Sequence, residues 1–244
     1  MALAAPAAAD PFLPEFSASN FGTGSANITN SYFPVRLGEV RTYAGSQGES
    51  FVMTGVGNGP IIANVRTAKV HDQGYSGSLL IEDTFDYFAQ DKSGNVWYFG
   101  EDSTAYSYDK NGNLVGTSTA GSWRAGVHGG LPGYIMPTNK SIGFDYYQEF
   151  SPNDGAVDEG TTLAVLPRFT IGIGTFSNVV QVLETTALEP KARDIKYYAP
   201  GVGLIAEDED VRSNNKNPRQ TFELTNGAAS SRPPLEFRKV PGRH

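Results

Sequence analysis

The chain has 244 residues, 39% of them hydrophobic and 11% aromatic, with 19 basic against 26 acidic side chains for a net charge of −7. This size fits one large β-domain or at most two small ones, while 28 glycines and 15 prolines favour frequent turns over long helices. The acidic balance argues against nucleic acid or an anionic membrane as a partner, and the lack of cysteine excludes disulfides, thiolate zinc sites and a cysteine nucleophile. Cations, neutral saccharides and apolar small molecules stay open. Nor does any stretch approach the roughly 20 apolar residues that a membrane-spanning helix needs.

Residues 1–30 read as an extended N-terminal arm. Its first ten, Met1 to Asp10, are rich in the A-x-A triplets found at signal-peptide cleavage sites, which points to secretion or periplasmic export. The alternative is an Ala/Pro leader on a cytoplasmic protein. Order is expected to begin near Tyr32-Phe33-Pro34. From there to about residue 210, short Val/Ile/Tyr/Phe/Thr runs alternate with Gly/Asn/Asp/Pro punctuation, the pattern of a single antiparallel β-domain.

The clearest local signal is a tandem one. Asp91-Lys-Ser-Gly-Asn95 and Asp109-Lys-Asn-Gly-Asn113 share the form D-K-x-G-N. In each, Asp caps the turn and Gly accepts the left-handed conformation that closes a short hairpin. The predicted meander runs Leu79–Gln90, Val96–Asp102, Thr104–Tyr108 and Leu114–Ser118. Extending the first hairpin without interruption pairs Phe88 with Tyr98, Asp86 with Gly100 and Thr84 with Asp102. One face then carries Phe85, Tyr87, Trp97 and Phe99 as core. The other carries Glu82, Asp86 and Asp102 beside Phe88 and Tyr98. The acidic run Glu207–Asp210 is expected to end the last strand as a solvated loop. Residues 211–244 read as an irregular C-terminal arm with one strand at Gln220–Leu224.

Several phrases carry a resemblance: Asn30-Ser-Tyr32-Phe33-Pro34, Glu82 to Asp91, Gly94 to Asp102, Gly121-Ser-Trp123, Met136-Pro137 and Lys196 to Gly203. Together, over residues 30–206, the chain resembles a family of uncharacterised secreted bacterial β-rich proteins. The resemblance implies a β-rich, exported protein and carries no activity.

Three candidate constellations follow. Glu82, Asp86 and Asp102 could supply oxygens to a hard cation such as Ca²⁺, or could be acids on a solvated sheet face. Phe88, Trp97 and Tyr98 could stack on a small-molecule or saccharide ligand, although aromatics at strand spacing also build cores. His71, beside Asp72, and His128, in the glycine-rich Gly126–Gly133 loop, are the candidate catalytic bases. Adjacent strand residues face opposite ways, so His71 would need its acid from a neighbouring strand. Gly74-Tyr-Ser76-Gly77-Ser78 lacks the last glycine of G-x-S-x-G, and no phosphate-binding loop is present.

The expected fold is all-β: an antiparallel β-sandwich or a partly open β-barrel of ten to thirteen strands with extended arms at both ends. The expected role is a secreted or periplasmic domain that binds a small ligand and a cation on the aromatic and carboxylate face. One alternative is a carboxylate-dependent hydrolase or lyase, which requires a histidine and one of Glu82, Asp86 or Asp102 in the same buried cavity. The other is a cell-envelope assembly subunit whose arms mediate self-association by strand addition.

Overall fold

The computed structural model describes residues 10–226. The outermost parts of both predicted arms, 1–9 and 227–244, and with them His244, lie outside the described residues. Fifteen strands run in chain order: β1 (Val40–Gly45), β2 (Glu49–Ile62), β3 (Val65–Ser76), β4 (Leu79–Gln90), β5 (Val96–Tyr108), β6 (Leu114–Ser118), β7 (Trp123–Arg124), β8 (Leu131–Met136), β9 (Asp145–Tyr147), β10 (Glu149–Phe150), β11 (Asp158–Ile171), β12 (Gly174–Thr186), β13 (Arg193–Ala199), β14 (Gly203–Glu209) and β15 (Gln220–Leu224). A 3-10 turn at Ala18–Asn20 is the only helical segment among the described residues, where no helix is long and apolar enough to cross a membrane.

All strands join one sheet in the order β10-β8-β5-β4-β3-β2-β1-β15-β14-β13-β12-β11-β9, with β6 and β7 also paired to β5. Every pairing is antiparallel, as hairpin connections between consecutive strands require. The two ends of this path, β9 and β10, are separated in sequence by Gln148 alone. A single stretch of chain therefore pairs with β11 through Gly160↔Tyr146 and then with β8 through Glu149↔Pro132. The sheet thus curls into a nearly closed barrel, the second of the two architectures expected, and little free edge remains along the seam.

The meander is present, with one change. β4 and β6 have the predicted bounds, whereas Val96–Asp102 and Thr104–Tyr108 are one continuous strand, β5. Both D-K-x-G-N turns close as argued: the Asp91 N–H donates to Asn95 O at 2.9 Å and that of Asp109 to Asn113 O at 2.9 Å, with Gly94 and Gly112 at φ of +89° and +81°. The strand expected at Gln220–Leu224 is β15, inserted between β1 and β14. The acidic run is not a loop. Glu207, Asp208 and Glu209 belong to β14 and pair with β13 and β15, because β15 arrives beside them and gives their backbone partners.

Packing also starts before Tyr32. Phe16 and Phe21 lie edge-on against Trp97 and Phe99, with ring centroids 5.5–6.1 Å apart, and so cover the outer face of β5. The chain then turns inward. Phe33 packs edge-on against Phe88 at 4.9 Å, and Phe33 and Val35 line the barrel interior. Phe21 and Ile28 are buried in the core and Phe16, Ala18, Ala26, Tyr32, Phe33 and Val35 pack against it, so the N-terminal segment is part of the core.

Candidate functional site

The barrel encloses a cavity of about 270 Å³. Strand alternation decides what faces it. On β4 the inward residues are Glu82, Thr84, Asp86 and Phe88; on β3 they are Val70 and Asp72; on β13, Lys196 and Tyr198. Phe51, Met53, Ile135 and Leu204 complete the apolar walls, while Glu149, Asp158, Glu184 and Glu207 add carboxyl groups from four further strands.

A β-bulge sets the chemistry of one end. The hairpin register runs as expected through Gln90↔Val96, Ala89↔Trp97 and Phe88↔Tyr98, then slips so that Asp86 pairs with Glu101 and Phe85 with Asp102. The extra residue lies in β5 at Phe99-Gly100. Gly100 has a φ of +129°, and a Cβ there would sit 2.3 Å from the Trp123 carbonyl oxygen on β7. Only glycine permits that approach, and the chain bulges where it occurs. Past the slip every side chain of β5 changes face. Glu101 turns inward beside Asp86, and Asp102 turns outward.

This corrects the expected carboxylate face. Glu82 and Asp86 stay together, but Asp102 leaves them. Its carboxylate is half exposed, accepts from the Tyr87 hydroxyl at 2.9 Å and pairs with the Arg124 guanidinium at 2.5–2.6 Å. Of the expected ligand-stacking aromatics, Phe88 and Tyr98 line the cavity, their rings stacked at 4.9 Å. Trp97 does not. It points to the opposite face, where Phe16 and Phe21 bury it and its indole N–H donates to Asp91 Oδ2 at 2.9 Å.

Neither histidine reaches the cavity. His71 lies between the inward-facing Val70 and Asp72 and so projects outward, stacked on Phe85 at 4.3 Å, with Nε2 2.6 Å from Asp83 Oδ1. His128 is 67% exposed, with Nδ1 2.8 Å from Asp154 Oδ1; Asp154 in turn accepts from Ser151 at 2.6 Å. The carboxylate lies between serine and histidine, so this chain of contacts cannot draw a proton from Ser151 to the imidazole. A histidine and a cavity carboxylate in one buried site, which the hydrolase or lyase alternative requires, are not brought together.

The cavity holds its own proton network. The Tyr98 Oη lies 2.7 Å from Asp86 Oδ1 and 2.8 Å from Glu101 Oε2. A phenol has one proton to donate, so making both contacts as hydrogen bonds requires a proton on one of the two carboxyls. The electrostatics agree. Burial, helped by the facing Asp86, raises Glu101 to about 8, and burial raises Asp86 to about 6 against the opposing effect of the Tyr98 hydrogen bond. Burial also pushes Asp72 and Glu149 well above their ordinary values, raises Asp158, and takes Glu207 to about 7.

Two basic groups line the cavity, and both are engaged elsewhere. The Lys196 ammonium lies 2.7 Å from Glu184 and 3.9 Å from Glu207. The Arg41 guanidinium donates to the carbonyls of Pro34 and Val202 at 3.2 and 3.3 Å. Asp86, Glu101, Glu149 and Asp158 form no ion pair among the described residues. Nor does any group of three or more acids and histidines there have the spacing to hold a metal ion.

Sequence reading missed most of this set. Glu101 stood next to the predicted site on the wrong face, and Gly100 was its one local sign. Asp72, Glu149, Asp158, Glu184, Lys196 and Glu207 come from six strands, and only the closure of the barrel brings them together.

No protein-family model and no curated protein matches the chain. Among solved structures, it is similar to a Bacteroides fragilis protein named as exported and of YmcC-like fold, at 11% identity and a TM-score of 0.44, covering 80% of this chain and 98% of that one. It is also similar to a Parabacteroides distasonis protein named as a lipoprotein, at 12% identity and a TM-score of 0.37, covering 80% and 97%. Likeness at this level does not bear on the chemistry of the cavity.

Proposed function

We propose that this chain is a secreted or periplasmic β-domain that binds a small molecule inside its barrel. The supporting observation is the cavity: about 270 Å³, walled by Phe33, Phe51, Phe88, Tyr98 and Tyr198, with carboxyl groups from several strands and Lys196 in the same lining. Concave pockets that combine apolar walls with directed polar groups are the usual form of small-ligand sites, and this volume suits a ligand of about ten non-hydrogen atoms or fewer. The exported setting rests on the sequence resemblance. The reading does not use Ca²⁺, because the carboxylates lack metal-ligand spacing.

Methyl NMR of the full chain tests this directly. In titrations with small neutral, cationic and anionic compounds, at least one is expected to shift Val70, Ile135 and Leu204, which line the cavity, and to leave Leu37 and Ile142 on the surface unchanged. Shifts confined to surface methyls, or none with any compound, would refute a lumen site.

A further inference from the structure

Resting on the lumen reading, we infer that the ligand is an organic cation, an ammonium group on a small apolar body, seated with its charge at Asp86, Glu101 and Glu149. Three independent features of the cavity favour this class. The first is the imbalance at this end, where carboxyl groups from β4, β5 and β10 meet with no ion pair to any basic side chain among the described residues.

The second is Glu149. It is 7% exposed and faces the cavity, and its one nearby donor is the buried Trp123 indole N–H, whose contact with it falls short of full hydrogen-bond geometry. A buried carboxyl with one imperfect donor keeps most of its acceptor capacity unmet, which costs stability unless something arrives to satisfy it. The third is the wall. The stacked rings of Phe88 and Tyr98 offer faces to a cation, and Val70 and Ile135 offer apolar surface to its body. A bare metal ion would use neither and finds no set of three ligands here.

The groups facing this end are Glu82 and Asp86 on β4, Tyr98 on β5 and Asp158 on β11; Lys196 on β13 and, from outside the wall, His71 on β3 also favour the ionised form of Asp86, but its burial outweighs them. When an ammonium ion enters, the protonated carboxyl in the Asp86–Tyr98–Glu101 network loses its O–H proton to the buffer, and the resulting carboxylate pairs with the ammonium. No bond to the ligand is made or broken. Binding therefore releases close to one proton near neutral pH and tightens as pH rises toward 8.5.

Isothermal titration calorimetry of the full chain with hexylammonium, 1-hexanol and hexanoate is the test. At pH 8.5 hexylammonium is expected to bind at least tenfold more tightly than hexanol, with hexanoate weakest. At pH 6 the hexylammonium affinity falls about tenfold, and buffers of different ionisation enthalpy report the released proton. Glu149→Gln, and independently Glu101→Gln, reduce the preference for ammonium over alcohol threefold or more, because each weakens hexylammonium binding more than hexanol binding. Hexanol or hexanoate bound as tightly as the ammonium would overturn the cation assignment and leave the lumen site intact. No binding by any of the three at millimolar concentration would overturn both.

Discussion

At the scale of single residues, the two D-K-x-G-N turns form a natural experiment. Asp91 Oδ1 accepts from the backbone N–H groups of Ser93 and Asn95, and its Oδ2 accepts from the side chains of Asn95 and Trp97. Asp109 makes the same turn contacts to Asn111 and Asn113 and has no tryptophan to hold. Asp91 is buried and Asp109 is not. Removing Asp91 leaves a buried indole N–H and two turn amides without partners, so Asp91→Ala should cost about 2–4 kcal/mol in urea unfolding. Asp109→Ala should leave the midpoint nearly unmoved. Equal effects would mean that the turn, not the buried indole, sets the cost.

At the scale of elements, the sequence was most informative where a turn motif acts locally. D-K-x-G-N fixes a hairpin by side-chain capping and a left-handed glycine, and both appear in the letters of the sequence. β4, β6 and β15 were legible for the same reason: an alternating run bounded by punctuation needs no knowledge of its neighbours. The bulge at Phe99-Gly100 was not legible. A register slip changes no composition; it arises because β7 approaches β5 closely enough to exclude a Cβ. That one long-range contact exchanged Asp102 for Glu101 in the cavity. Gly100→Ala should therefore cost about 3 kcal/mol from strained backbone and the clash with the Trp123 carbonyl. It should also disturb Tyr98 and Glu101 in NMR spectra more than Phe88. A neutral Gly100→Ala would show that the slip does not depend on glycine.

At the scale of the whole molecule, the barrel keeps a set of acids away from water. A core built for stability alone would fill that space with apolar side chains. The pH dependence follows from the sign of the shifts. Asp86, Glu207 and Glu101 are raised in the folded chain to about 6, 7 and 8, above unperturbed values of 3.8 for Asp and 4.5 for Glu. A carboxyl raised on folding binds its proton more tightly in the native state. Its contribution is complete below the unfolded value and is lost as pH rises through the folded one. The window of loss therefore opens near pH 4 and closes by about pH 8.5. Lys196, held above its ordinary value by Glu184 and Glu207 against its own burial, stays charged throughout this window and does not reverse the trend.

Thermal unfolding of the ligand-free chain from pH 5 to pH 8.5, beside Glu101→Gln, measures this property of the lumen directly. The midpoint should fall by several degrees with rising pH, at roughly 2–4 °C per kcal/mol for a chain of this size, and Glu101→Gln should flatten the upper part of the fall. A midpoint that rises or stays level, the same in both proteins, would mean that the lumen acids are already ionised and neutralised, with no unmet charge to offer a ligand.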